Sequence, residues 1–183
     1  NAYSNTGKYE EAIKSYKQAL RIDPDGASIQ YNLGVAYYEL GRYEEAIESY
    51  KQVIRIDPDD GETHRHLGLA YNGAGKHEEA IKSYKQAISI DPDYAKAHSN
   101  LGYAYGESGR YEEAIKSYKQ AIRIDPDDAD AHNGLGAAYG ESGKYEEAIE
   151  SYKQALRIDP DLAGAHYNLG LDYGGLGKYK KAI

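Results

Sequence analysis

The chain has 183 residues, with 22 Lys plus Arg against 30 Asp plus Glu, giving a net charge of -8 and a pI near 5.3. That balance excludes broad attraction to phosphate backbones, so neither nucleic acid nor an anionic membrane is expected as a partner. Cys is absent, which excludes disulfides, thiolate metal sites and a thiol nucleophile, and no apolar run reaches signal-peptide or membrane-spanning length.

The first stretch, residues 1–26, contains the segment GKYEEAIKSYKQA, which returns with small changes every 34 residues. Pro24, Pro58, Pro92, Pro126 and Pro160 keep the same beat. A fixed period of that length is the mark of stacked repeats, in which each unit buries its face on its neighbours instead of joining one globular core. The full units are 27–60, 61–94, 95–128 and 129–162, with 1–26 and 163–183 as partial units. Both ends read as cut inside a repeat without a polar cap. A fragment, a window on a continuous superhelix, and an array whose ends pair with other copies all fit that reading. With 21 Tyr and no Phe, Trp or Met, the bias fits recent duplication or consensus-style design.

Within unit 27–60, Ile29, Leu33, Ala36, Tyr37 and Leu40 form an apolar stripe that predicts a helix over about 28–40, helix A. Gly41 then stops it, as a C-terminal glycine does. Ala46, Tyr50, Val53 and Ile54 predict helix B over about 44–56, ended by Pro58. Gly34, Gly68, Gly102, Gly136 and Gly170 lie inside helix A, where glycine costs ~0.5–1 kcal/mol. Close helix approach is the expected return, with Ala46, Ala80, Ala114 and Ala148 supplying the matching small surface. Tyr37 and Tyr50 are expected to fill the space between helices, and their hydroxyls then need partners.

The joints hold Asp57, Asp59 and Asp60 before Gly61, but the spacing does not fit a calcium loop. Asp59 is expected to cap the next helix A. His64, His98, His132 and His166 form a ladder, one per unit. Neighbouring helices pack ~8–10 Å apart, too far for successive rungs to share an ion at ~2.0–2.1 Å, so a packing or surface role is expected. Glu78 and Lys82, or Glu112 and Lys116, are i,i+4 pairs of a solvated face. No nucleophile elbow, phosphate-binding loop or metalloprotease helix occurs. No catalysis, cofactor or metal is expected.

Gln30, Leu33, Gly34 and Tyr37, then Gly41, Ala46, Tyr50 and Pro58, resemble the tetratricopeptide repeat pattern W-x2-L-G-x2-Y, A-x3-F, P. Gln30 stands for the Trp and Tyr50 for the Phe. The resemblance covers the whole chain and implies an all-α, right-handed superhelix of 34-residue helix-turn-helix units. In such proteins helix A lines the concave surface, and partner peptides lie along it. By that resemblance the inner positions are Tyr31, Asn32, Val35 and Tyr38, then Arg65, His66, Leu69 and Asn72. They continue with Ser99, Asn100 and Tyr103, then Asn133 and Ala137, and end with Tyr167, Asn168 and Leu171. Helix A varies between units while helix B hardly changes, so variation is concentrated where packing does not dictate.

The groove so defined offers aromatic and aliphatic anchors among amides, without strong charge. Gly106, Gly140 and Gly174 replace Tyr38, which predicts a roomier groove toward the C-terminal half. The family's carboxylate clamp for acidic chaperone tails does not carry over. Arg65 and Asn100 fit it, but Leu69, Asp130 and Gly134 break it. The family's asparagine ladder is represented by Asn32, Asn100 and Asn168, interrupted by His66 and Gly134. The resemblance thus implies a non-catalytic scaffold holding a peptide or protein segment. The competing reading is a structural array, or homo-oligomer, stacked end to end through uncapped repeats.

Overall fold

A computed structural model of the chain describes residues 2–175 and Gly177. Among them ten helices and no strand are found. The chain falls into two compact units, residues 1–92 and 93–183. The first contains α1 (Ala2–Ile22), α2 (Ala27–Glu39), α3 (Tyr43–Ile56), α4 (Gly61–Gly73) and α5 (His77–Ile90). The second contains α6 (Ala95–Glu107), α7 (Tyr111–Ile124), α8 (Ala129–Glu141), α9 (Tyr145–Ile158) and α10 (Ala163–Gly175). Inside each unit every helix packs on the next in sequence, and in the second α8 also touches α6 and α10 directly. The expected fold class, an all-α tetratricopeptide solenoid of helical hairpins, is the one observed.

Each hairpin turn follows from one glycine. Gly41 has φ of 71°, a left-handed conformation that costs a side-chain-bearing residue ~1 kcal/mol or more. With that kink, the Arg42 amide donates to Tyr37 O at 2.9 Å and the Gly41 amide to Tyr38 O at 2.9 Å. These bonds satisfy carbonyls that the end of α2 would otherwise leave unpaired.

The first helix departs from the expected pattern. The partial unit 1–26 was expected to begin inside one helix of a hairpin, yet α1 runs unbroken from Ala2 to Ile22.

The core is the facing stripes. Ala46, Tyr50 and Ala80 are fully buried, and Ile47 and Val53 are each 3 % exposed. Ile47 belongs to the stripe beside the expected Ala46 and Tyr50, whereas Ile54 is only half-buried. At four of the helix A glycines the nearest neighbours are tyrosine ring atoms. A methyl group on Gly34 would sit 2.7 Å from Cε1 of Tyr50, and one on Gly136 would sit 2.5 Å from Cε1 of Tyr152. Gly34, Gly68, Gly102 and Gly136 are each the seat of their own hairpin's helix B tyrosine, whereas a methyl on Gly170 would meet nothing within 4 Å. The Tyr84 hydroxyl accepts from Asn72 Nδ2 at 3.2 Å. The buried Tyr50 hydroxyl has no partner among the described residues. Buried Ser49, Ser83, Ser117 and Ser151 are each satisfied by the carbonyl four residues back.

At the joints before α4 and α8 the capping residue is one place later than expected. Asp60 Oδ1 accepts from the Thr63 amide at 3.0 Å, and its Oδ2 accepts from the Thr63 hydroxyl at 2.6 Å. Asp128 caps α8 in the same way through the Ala131 amide. Asp57 instead accepts from the Asp59 amide at 3.2 Å, closing a turn around Pro58. The proline pushes Asp57 into extended backbone, and the true cap, Asp60, falls two residues beyond Pro58. Asp60→Ala should therefore cost ~1–2 kcal/mol, because it uncaps α4 and strands the hydroxyl of fully buried Thr63. Thermal melting, with amide exchange read at the first turn of α4, checks it.

Candidate functional site

The helix A residues behave differently in the two units. In the first, side chains fill the face. The Tyr31 hydroxyl donates to Glu62 Oε1 at 3.3 Å and lies 3.1 Å from His66 Nε2. Its ring meets Tyr50 edge-on at 5.8 Å between centroids. Arg65 Nη2 lies 2.6 Å from His66 Nε2, an arrangement that requires the imidazole to be neutral there. Burial, then the adjacent Arg65 charge, hold the His66 pKa down to about 4. Burial and the Glu62 carboxylate push the Tyr31 phenol up to about 12.

Other expected groove residues of this unit are also engaged with the protein itself. Asn72 donates to Tyr84 and its Oδ1 faces His77 Nδ1 at 3.2 Å. Tyr38 packs edge-on against Tyr43, and Val35 lies against the core. Leu69 is half-buried, while Asn32 is exposed beside Tyr31 at a cavity of about 270 Å³.

The second unit is open where the first is filled. Ser99, Asn100, Tyr103, Asn133 and Ala137 line one cavity of about 640 Å³, with Gly106, Gly134 and Ala138 on its walls. Small side chains at Ser99, Gly106, Gly134 and Ala137 leave the cleft between α6 and α8. A methyl on Gly106 would meet nothing within 4 Å. Gly134 is different, since a methyl there would sit 2.5 Å from Cε1 of Tyr118. That ring is therefore held against α8, with 7 % of its surface exposed at the cavity.

On α10, Tyr167 and Leu171 are 68 % and 56 % exposed, but they are not in this cavity. Asn168 Nδ2 donates to Asn133 Oδ1 at 3.1 Å. The observed amide pair therefore joins positions 35 apart, as Tyr31 and His66 do, rather than the ladder of Asn32, Asn100 and Asn168 set 68 apart.

Glu107, Asp130, Glu141 and Tyr111 also line the cavity and were not among the expected positions. The signal for them was present in the spacing. Glu107 and Glu141 lie one helical turn after Tyr103 and Ala137, and Asp130 one turn before Gly134. The expectation of a weakly charged groove does not hold here.

The histidine ladder has a packing role. Nε2 of His64, His132 and His166 lies 2.9, 3.1 and 2.9 Å from the carbonyls of Pro58, Pro126 and Pro160. Each imidazole N–H thus ties helix A to the joint before it. No group of three His, Asp or Glu side chains with metal-binding geometry occurs among the described residues, nor is any described helix long and apolar enough to cross a membrane.

Comparison with known proteins agrees with this architecture. No curated protein sequence matches the chain. A crystal structure of MamA is similar at 31% identity and a TM-score of 0.79, covering 87% of this chain and 94% of that one. MamA 41-end from Desulfovibrio magneticus RS-1 is 24% identical, with a TM-score of 0.78 and coverage of 85% and 88%. YrrB, described as a TPR protein with an unusual peptide-binding site, is 24% identical, with a TM-score of 0.75 and coverage of 90% and 84%. The TPR repeat family model matches residues 1–41, 36–75, 70–109, 104–143 and 140–177 in overlapping succession. With glycine turns, tyrosine seats and helical hairpins all in the repeat's register, the chain belongs to the tetratricopeptide repeat family.

Proposed function

We infer that the chain is a non-catalytic interaction scaffold that holds a peptide, or an extended segment of another protein, against its helix A face. The observation that carries this reading is the cavity shared by Ser99, Asn100, Tyr103, Asn133 and Ala137. Its volume lies within the ~300–1,000 Å³ of ligand pockets, and its amides and rings suit a main chain and its side-chain anchors. MamA, at 31% identity, supports a scaffold of this kind through its shared repeat, and YrrB is itself described as peptide-binding.

The test is selection from a random peptide library, followed by affinity measurement on a cavity-filling variant. Gly106→Tyr with Ala137→Leu introduces side chains found at the matching positions of the first unit, Tyr38 and Leu69. Selected peptides should lose about tenfold or more in affinity for it, ~1.4 kcal/mol, while far-ultraviolet circular dichroism stays unchanged. Equal affinity for both proteins would remove this cavity from the functional account.

A further inference from the structure

The cavity of the second unit carries charge of one sign. Exposed Glu107, Asp130 and Glu141 stand among its lining residues, and no Lys, Arg or His does. Several carboxylates of the helix B segments are arranged otherwise, beside a cation. Arg42 pairs with Glu45, Lys51 with Glu48, and Arg110 with Glu113. Glu107 and Glu141 also occupy the last turns of α6 and α8, where the helix dipole disfavours a negative charge. Helix stability therefore does not account for them.

The wall beside these carboxylates is aromatic. Tyr103 is 52 % exposed and Tyr118 lines the same space. Burial, with the Glu107 carboxylate adding to it, pushes the Tyr103 phenol up, so the negative field reaches the ring. A cation over a tyrosine face gains ~0.5–2 kcal/mol, and carboxylates around a low-dielectric cleft concentrate negative potential there.

We propose that the occupant of this cavity is an extended peptide segment bearing arginine, its guanidinium stacked on Tyr103 and paired with Glu107 one helical turn away, within the negative field to which Asp130 and Glu141 add. The Asn100 amide then holds the segment's main chain. Arginine fits better than lysine because a planar fork stacks on a ring and pairs a carboxylate through two N–H groups at once. This inference rests on the peptide-holding reading of the same cavity and adds the chemistry of the segment.

Fluorescence anisotropy on the whole chain tests it with a labelled arginine–glycine–serine peptide and its twin in which neutral citrulline replaces arginine. The arginine peptide should bind about tenfold tighter, and the advantage should shrink as salt rises above ~0.15 M. Glu107→Gln with Asp130→Asn and Glu141→Gln should abolish the advantage, and all three side chains are exposed, so the fold is retained. Equal binding of the two peptides, with both weakened by Gly106→Tyr and Ala137→Leu, would overturn the charge inference and leave the peptide-holding reading standing. Binding of both peptides that survives the cavity-filling variant would overturn the two together. An arginine advantage that persists in the triple variant would place the cationic site elsewhere and overturn the assignment to these carboxylates.

Discussion

Truncating Tyr84 to Ala should destabilise the first unit by ~3–5 kcal/mol, the largest effect expected of a single substitution in this chain. The side chain is fully buried, its ring rests on Gly68, and its hydroxyl takes the Asn72 amide. Removal therefore opens a cavity and strands a half-buried amide. Gly68→Ala alone should cost ~1–3 kcal/mol, because the added methyl would lie 2.7 Å from Cδ1 of Tyr84 with the ring walled in. The two changes together should cost less than their separate costs combined, since the vacated ring space receives the methyl. That non-additivity is what a double-mutant cycle reads. Urea midpoints give the size, and hydrogen exchange should place the loss in α4 and α5, because stacked repeats lose stability by local units. Additive costs would mean that glycine is required at position 68 for a reason other than the ring.

This coupling marks the boundary of what the sequence makes legible. Helix limits were readable because they depend on local chemistry. A left-handed glycine at Gly41 and a proline after Asp57 act within a turn of their own positions. The apolar stripe of helix B was readable for the same reason, since its period is intrinsic to the helix. The partner of Gly34 was not. Small residues on both helices suggest mutual contact, but the ring of Tyr50 on helix B is what lies nearest the glycine. Direction along the helix decided the matter, and spacing alone does not supply it.

The candidate site was legible to a similar depth. Family register placed Ser99, Asn100, Tyr103, Asn133 and Ala137 on one face, and they line one cavity. It did not distinguish that open face from the first unit's, which Tyr31, Arg65 and His66 close by binding one another. Closure depends on pairs 35 residues apart meeting across two helices, a relation that a 34-residue period hides. Glu107 and Glu141 were absorbed into the solvated surface for want of any sign that a cleft lay beside them.

The filled face of the first unit has its own consequence, a stability that falls between neutral and mildly acidic pH. His66 is packed among Tyr31, Tyr50, Glu62 and Arg65, and its pKa is held down to about 4 from an unfolded value of 6.5. Between those values the unfolded chain binds a proton that the folded chain refuses, so stability rises with pH there and is lost as pH falls. From about pH 7 to about pH 5 the first unit should lose ~1–2 kcal/mol through this group, discounted for the solvent that still reaches the ring. Below about pH 4 the folded imidazole also protonates, and its contribution stops changing. The carboxylates of Glu45 and Glu113, held low by Arg42 and Arg110 from 4.5, add their loss only under more acidic conditions. In the second unit Asp172 carries the opposite sign, since burial and Glu141 raise its carboxyl, and protonation there relieves a penalty. His66→Asn places at this position the residue found at Asn32, Asn100 and Asn168, keeps polarity, and removes the titrating group. Thermal melts of the parent chain and this variant should diverge as pH falls from about 7 to about 5, with the variant losing less. Parallel loss in both proteins across that window would show that a group other than His66 governs the acid sensitivity of the fold.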